Sequence, residues 1–132
     1  MAAVIDASVV VRGFLGGETA DERTRELAHG RSSTAVPDLL YAEVVNALVQ
    51  HVRAGRLSAD AAGMALDYVA TLPLESTPCE ELAPDALAIA VDRGVSGYDA
   101  MYLALAEATG SVLVTADRRL AAASANAELL ED

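Results

Sequence analysis

A chain of 132 residues, 53% of them hydrophobic and with a formal charge of −11, is long enough to bury a core of its own without disulfide staples. Cys79, its one cysteine, excludes an internal disulfide and a thiolate metal cluster, and no apolar run approaches the roughly 20 residues that a bilayer span needs. The acidic balance speaks against a broad basic face for nucleic acid and suits a basic protein partner.

In chain order, Ala2 to Ile5 is short, apolar and partly β-branched, which predicts a strand. Asp6 follows at once, with no basic flank and no long apolar stretch, so an export signal is not expected and the chain is assigned to the cytoplasm. Asp6-Ala7-Ser8 can cap a helix through Val9 to Leu15, and Gly16-Gly17 ends it. Glu18 to His29 has the acidic start of a second helix, closed by Gly30, and Ser33 to Val36 reads as a strand. Pro37-Asp38 opens the clearest helix, in which Leu40, Val44, Leu48 and Val52 recur at helical period up to Gly55. Another helix starts at Leu57-Ser58 and runs through Met64 and Val69, and Leu72 to Ser76 is the next strand. Thr77-Pro78-Cys79-Glu80 has a capping-box pattern and begins a helix to Arg93, where Gly94 supplies the stop. Ser96 caps a helix over Gly97 to Thr109, ended by Gly110. Val112 to Val114 is a strongly apolar strand that meets Thr115-Ala116-Asp117; Arg118 to Ser124 is helical, and Ala127 to Leu130 is a last short strand.

Strands that alternate with helices and are apolar on both faces indicate one α/β domain over residues 1–132, three layers deep, α/β/α, around a mainly parallel sheet. Ligands of such sheets sit beyond the carboxyl ends of the strands, where Asp6 and Asp117 stand. Each of these acids has an alternative structural task as a helix cap, and Asp99 has another as the third helical residue of Ser96-Gly97-Tyr98-Asp99. Glu43 lies more than a turn inside the long helix, close to its apolar arc, where a carboxylate needs a partner. Taken together, Asp6, Glu43, Asp99 and Asp117 suit phosphodiester chemistry. Hard cations take carboxylate oxygen ligands, activate water and offset the charge of a leaving oxygen, and a cation also relieves the repulsion among crowded acids.

Four segments also carry a resemblance. Val4-Ile5-Asp6-Ala7-Ser8, the helix from Pro37 to Leu48 that contains Glu43, the segment Ser96 to Ala106 that contains Asp99, and Leu113 to Leu120 with Asp117 resemble the four signature blocks of PIN-domain proteins, particularly VapC-type toxins. They stand in the family's order and span nearly the whole chain. The resemblance implies a parallel-sheet α/β fold, Mg²⁺ or Mn²⁺ held by Asp6, Glu43, Asp99 and Asp117, endonucleolytic cleavage of RNA, a homodimer, and a small antitoxin as partner. That partner is expected to deliver a basic or amphipathic C-terminal segment into the acidic groove. Thr115 matches a polar position beside the last acid and takes a supporting role, positioning water or a carboxylate; Ser8 and Asn46 are weaker candidates of the same kind. The tail after Leu120 departs from the family by being shorter and more acidic, which leaves the last strand open.

Other acids are assigned to structure: Asp38 to the first turn of its helix, and Asp92, Glu80-Glu81 and Glu131-Asp132 to the solvated surface. His29 and His51 are read as helix-end or surface residues, and Tyr98 and Tyr102 as core beside the site. A receiver-like signalling module requires a lysine near its phosphorylated aspartate, and this chain has none; all nine basic residues are arginines. An aspartyl phosphatase requires a second aspartate two residues after the first, where Ser8 stands. A PIN nuclease outside any toxin pair, or a PIN fold that binds without cutting, remains a competing reading.

Overall fold

The computed structural model describes residues 2–28 and 33–131. Strands and helices alternate in the order β1 (Ala3–Ile5), α1 (Ala7–Phe14), α2 (Glu18–Ala28), β2 (Thr34–Pro37), α3 (Leu40–Arg53), α4 (Ala59–Thr71), β3 (Leu74–Thr77), α5 (Cys79–Arg93), α6 (Gly97–Thr109), β4 (Val112–Thr115), α7 (Arg118–Ala123) and β5 (Ala127–Leu129). His29 and Gly30, expected to end the second helix, and Asp132 lie outside the described residues.

The five strands form one sheet in the order β3-β2-β1-β4-β5, and every pairing is parallel. Parallel neighbours need crossovers, and right-handed crossovers decide the layers. From β1 the chain steps outward to β2 and β3, which carries α1 to α4 over one face. It then returns across the sheet to β4 and moves the other way to β5, which carries α5 to α7 over the opposite face. The direction of travel therefore reverses between β1 and β4, the place where such sheets open a crevice.

The central strands read as apolar runs because they are covered on both faces. Val4, Leu113 and Val114 are fully buried, and Leu103 and Tyr102 of α6 are buried against them. Removing a side chain of this kind from water contributes about 1.5–3 kcal/mol. Gly94 and Gly110 end α5 and α6 in the left-handed conformation, at φ 67° and 63°, where a side chain would be strained.

Two expectations are corrected at the sheet edge. Pro37 is the last residue of β2, in register with Thr77, so α3 begins at Leu40 and Glu43 lies in its first turn rather than deeper inside. Asp38 is thus not a first-turn acid; its N–H donates to the Thr77 carbonyl at 2.8 Å, and its carboxylate accepts from the Cys79 N–H at 3.1 Å. That bond explains the second correction. Thr77 ends β3, and Pro78 is the cap residue of α5 without a side-chain cap bond. Asp38, arriving from the neighbouring strand end, supplies the acceptor that the capping-box reading assigned to Thr77. The last strand, left open by the sequence, is present: β5 pairs with β4 in register Thr115↔Leu129, and the Leu130 N–H donates to the Thr115 carbonyl at 2.8 Å.

Candidate active site

All four acids stand where a helix begins. Asp6 directly precedes α1, Glu43 and Asp99 lie in the first turns of α3 and α6, and Asp117 is the cap residue of α7. Each helix start carries partial positive charge from unpaired N–H groups, which lowers the cost of gathering negative charge there. All four line one open cleft of about 440 Å³, together with Ser8, Arg12, Asn46, Gln50, His51 and Tyr102.

Asp6 is the deepest, 7% exposed, and its side chain does not cap the helix that it precedes. Both of its oxygens are occupied instead. The Ser8 hydroxyl donates to Oδ1 at 2.6 Å and the Thr115 hydroxyl to Oδ2 at 3.0 Å. Each hydroxyl also accepts from the backbone: Ser8 from the Ala116 N–H at 3.0 Å, and Thr115 from the Asp117 N–H at 3.0 Å. The chain ends of β1 and β4 are thus tied through one carboxylate, which fixes where Asp117 begins. Burial pushes Asp6 up to about 6, against the pull of the two hydroxyls, and the nearby Asp117 and Glu43 charges add to the rise. Thr115 is fully buried, with its hydroxyl engaged by the Asp6 carboxylate and the Asp117 N–H. Ser8, a weaker candidate by sequence, is an equal partner in this arrangement.

Glu43 is half-buried and takes the Tyr102 hydroxyl at 2.6 Å. Burial raises its pKa, the Tyr102 bond opposes the rise, and Asp99 adds to it. Asp99 is raised chiefly by burial and then by the Asp117 charge. Its N–H donates to the Ser96 hydroxyl at 3.0 Å, so the backbone does the capping and the carboxylate faces the cleft. Asp117 caps α7 as well as lining the cleft: Oδ1 accepts from the N–H groups of Arg119 and Leu120 at 2.9 and 3.2 Å. The cap reading therefore holds for this residue, which also lines the cleft. Among the described residues, no three Asp, Glu, His or Cys side chains stand close enough to hold a metal ion between them. An open, oxygen-only set suits Mg²⁺, which keeps waters and takes one or two carboxylates plus substrate phosphate.

The family model described as the PIN domain matches residues 3–126. The chain belongs to the PIN-domain family. It is 35% identical to Ribonuclease VapC3 of Pyrobaculum aerophilum over 125 residues, which cover 92% of this chain and 93% of that protein. The crystal structure of PAE2754 from Pyrobaculum aerophilum is similar to it with a TM-score of 0.72 and 31% identity, covering 99% of this chain and 93% of the other. The fold alone is shared, at 14% identity and a TM-score of 0.70, with a chain of VapBC2 from Rickettsia felis, solved bound to a DNA fragment from their promoter; the match covers 99% of this chain and 100% of that one.

Tyr98 has a different place from the one its sequence context suggested, and His51 and Tyr102 make contacts that their sequence context did not reveal. His51 lines the cleft, and because an arginine only donates, the Arg56 guanidinium at 3.1 Å makes its Nδ1 the acceptor. Tyr98 is 69% exposed and is not core. Tyr102 is core, as expected, but its hydroxyl reaches Glu43, which a helical apolar stripe cannot reveal. Tyr102→Phe is expected to lower Mn²⁺ affinity about tenfold or more by releasing Glu43, in line with the loss of an orienting partner at a metal ligand. Calorimetric titration with Mn²⁺ measures this; unchanged affinity in a folded variant would show that the bond serves packing only.

Proposed function

We propose that this PIN domain is a Mg²⁺- or Mn²⁺-dependent endoribonuclease of the cytoplasm and the toxin half of a toxin–antitoxin pair. The convergence of Asp6, Glu43, Asp99 and Asp117 on one open cleft at the switch point of the sheet carries the reading. Burial and mutual repulsion raise Asp6, Glu43 and Asp99, and a divalent cation is the partner that would discharge that cost. One or two of these acids at a time would hold the ion together with waters and substrate phosphate, and the ion when bound activates a water and offsets charge on the leaving oxygen. Ser8 and Thr115 keep both Asp6 oxygens oriented, Tyr102 fixes Glu43, and the capped start of α7 fixes Asp117. The name of the VapC3 relative supports RNA as the substrate, and the VapBC2 complex supports an antitoxin partner.

The antitoxin reading has further support on the surface. Val45, Val49, Val52 and Leu66 line an apolar groove of about 340 Å³ between α3 and α4, on the side of α3 away from Glu43. An amphipathic segment can seat there, and the chain that continues from it around α3 would bring a basic side chain to the acids, where the cation would sit. A homodimer is proposed for the opposite face, where Leu87 and Val91 of α5 are 69% and 79% exposed. No helix among the described residues is long and apolar enough to cross a membrane.

The test is cleavage of a circular single-stranded RNA, which has no ends to trim. Purified, antitoxin-free protein with Mn²⁺ or Mg²⁺ should linearise it, and a chelator should stop the reaction. Intact circular and linear RNA with folded protein under both metals would sink the enzyme reading. Expression alone should arrest growth, and co-expression with a small neighbouring reading frame should restore it; normal growth with soluble protein, and no neighbour that binds, would leave a PIN nuclease outside any toxin pair. Light scattering should give the mass of two chains at micromolar concentration, and a monomer would remove the dimer.

A further inference from the structure

The cleft that holds the acids does not end at them. Asp99 and Asp117 also line a second depression of about 430 Å³, bounded by Arg93, Ser96 and Arg119, so the two hollows adjoin at these acids and are taken together as a trough. An arginine stands toward each end: Arg12 in the last turn of α1 and Arg119 at the start of α7. Of the eight described arginines, four have a carboxylate partner and four, Arg12, Arg53, Arg56 and Arg119, have none; of those four, Arg12 and Arg119 line the trough. Arg23, Arg25, Arg93 and Arg118 are engaged with carboxylates, Arg93 doubly with Glu107 at 2.6 and 3.0 Å. Among the described residues, the Arg12 and Arg119 guanidinium groups make no direct ion pair, although the trough they border is lined with acids and the Arg119 charge acts on Asp99 through space. Arg12 is also half-buried, which limits the water that can replace a counter-ion.

We propose that a single RNA strand crosses the acid cluster along this trough, with Arg12 and Arg119 each gripping a phosphate on opposite sides of the one that is cut. The proposal rests on the ribonuclease reading and adds the path of the substrate. A chain with a net charge of −11 repels polyphosphate over most of its surface, so the few unpaired cations at the trough decide where a strand can lie. A duplex, with two backbones to follow, would need a broad basic face that this protein lacks. A guanidinium offers two parallel N–H donors to phosphate oxygens, and two such clamps set the register of the strand on the acids. Arg12 and Arg119 are positioning residues in this scheme.

The experiment measures binding of a short single-stranded RNA by fluorescence anisotropy across a salt series, in an Asp117→Asn background that does not cut. Cleavage constants come from the uncompromised enzyme. Each neutralised phosphate contributes about 0.7 to the slope of log affinity against log salt for single strands, so Arg12→Gln and Arg119→Gln should each flatten the slope by about 0.7, and the pair by about twice that. KM should rise about tenfold for each, with kcat within about threefold, as for a phosphate contact made equally in the ground and transition states. Arg12→Lys should recover most of the slope, and Arg25→Gln, an equal charge change away from the trough, should leave it unaltered. Affinity lost with the slope unchanged would mark structural damage and overturn the path, as would an effect no larger than that of Arg25→Gln. If the parent protein neither binds nor cuts RNA, the substrate reading itself fails; if it cuts normally and only the slopes refuse to move, the path alone is wrong.

Discussion

Asp6→Asn, Asp99→Asn and Asp117→Asn are each expected to lower RNA cleavage about a thousandfold or more, some 4 kcal/mol of lost transition-state stabilisation, while leaving the protein folded. Asparagine preserves shape at each place and removes the charge that a cation requires. The three positions also separate site from scaffold. At Asp99 the capping bond is made by the backbone N–H to Ser96, which the substitution leaves alone. At Asp117 the carboxylate accepts from Arg119 and Leu120, and an asparagine oxygen caps a helix about as well. Initial rates with Mn²⁺, normalised to folded protein by circular dichroism, are the measurement. An Asp99→Asn variant that melts early yet retains activity per folded molecule would mean that this acid serves the helix and not the chemistry.

Metal-free Asp6→Asn should be more stable than the parent protein near pH 7.5, and magnesium should reverse the order. Asp6 rises from 3.8 to about 6 on folding, so the folded state binds its proton more tightly than the unfolded chain does. Between those values the folded state carries more protons, and stability falls as pH rises through the window. Above it the full cost is in place, on the order of 3 kcal/mol for a shift of this size. Asparagine removes the charge but must replace the bonds from Ser8 and Thr115, so the net gain is on the order of 1–2 kcal/mol, a rise in Tm of several degrees. At pH 4, where the parent's Asp6 is protonated when folded, the gain should vanish. Magnesium at a hundred times its Kd adds about 2.7 kcal/mol to the parent and little to the variant. Thermal melts at both pH values, with and without magnesium, decide the matter; a parent protein more stable than Asp6→Asn at pH 7.5 in chelator would show that the hydroxyl bonds outweigh the buried charge.

The fold was legible because its signals are local. β-branched runs mark the strands, glycines at 94 and 110 mark two helix ends, and the position of Asp6 and Asp117 just past apolar strands marks the crevice. What was not legible depends on residues far apart in the chain. Pro37-Asp38 has the pattern of a helix start, yet pairing with β3 keeps Pro37 extended and turns Asp38 toward Cys79, 41 residues away. Tyr102 reads as one more apolar position, and its bond to Glu43 spans 59 residues. Thr115 and Ser8 meet at Asp6 only because β1 and β4 are neighbours, a pairing that no local pattern announces. His51 stands in the last turn of its helix, as its sequence context implies; its presence at the cleft follows from the way α3 lies across α1.

The reversal of chain direction between β1 and β4 has a consequence for how such a protein diversifies. The acids are anchored at strand ends and helix starts, whereas the margins of the trough come from connections that leave in opposite directions. Leu15, at the end of α1, borders one margin, and the turn from Gly94 to Ser96 borders the other. Lengthening or recharging either connection reshapes one bank without moving the strand ends that carry Asp6 and Asp117. Under the proposed ribonuclease reading, selection can thus act on substrate choice and on bond breaking as separable traits.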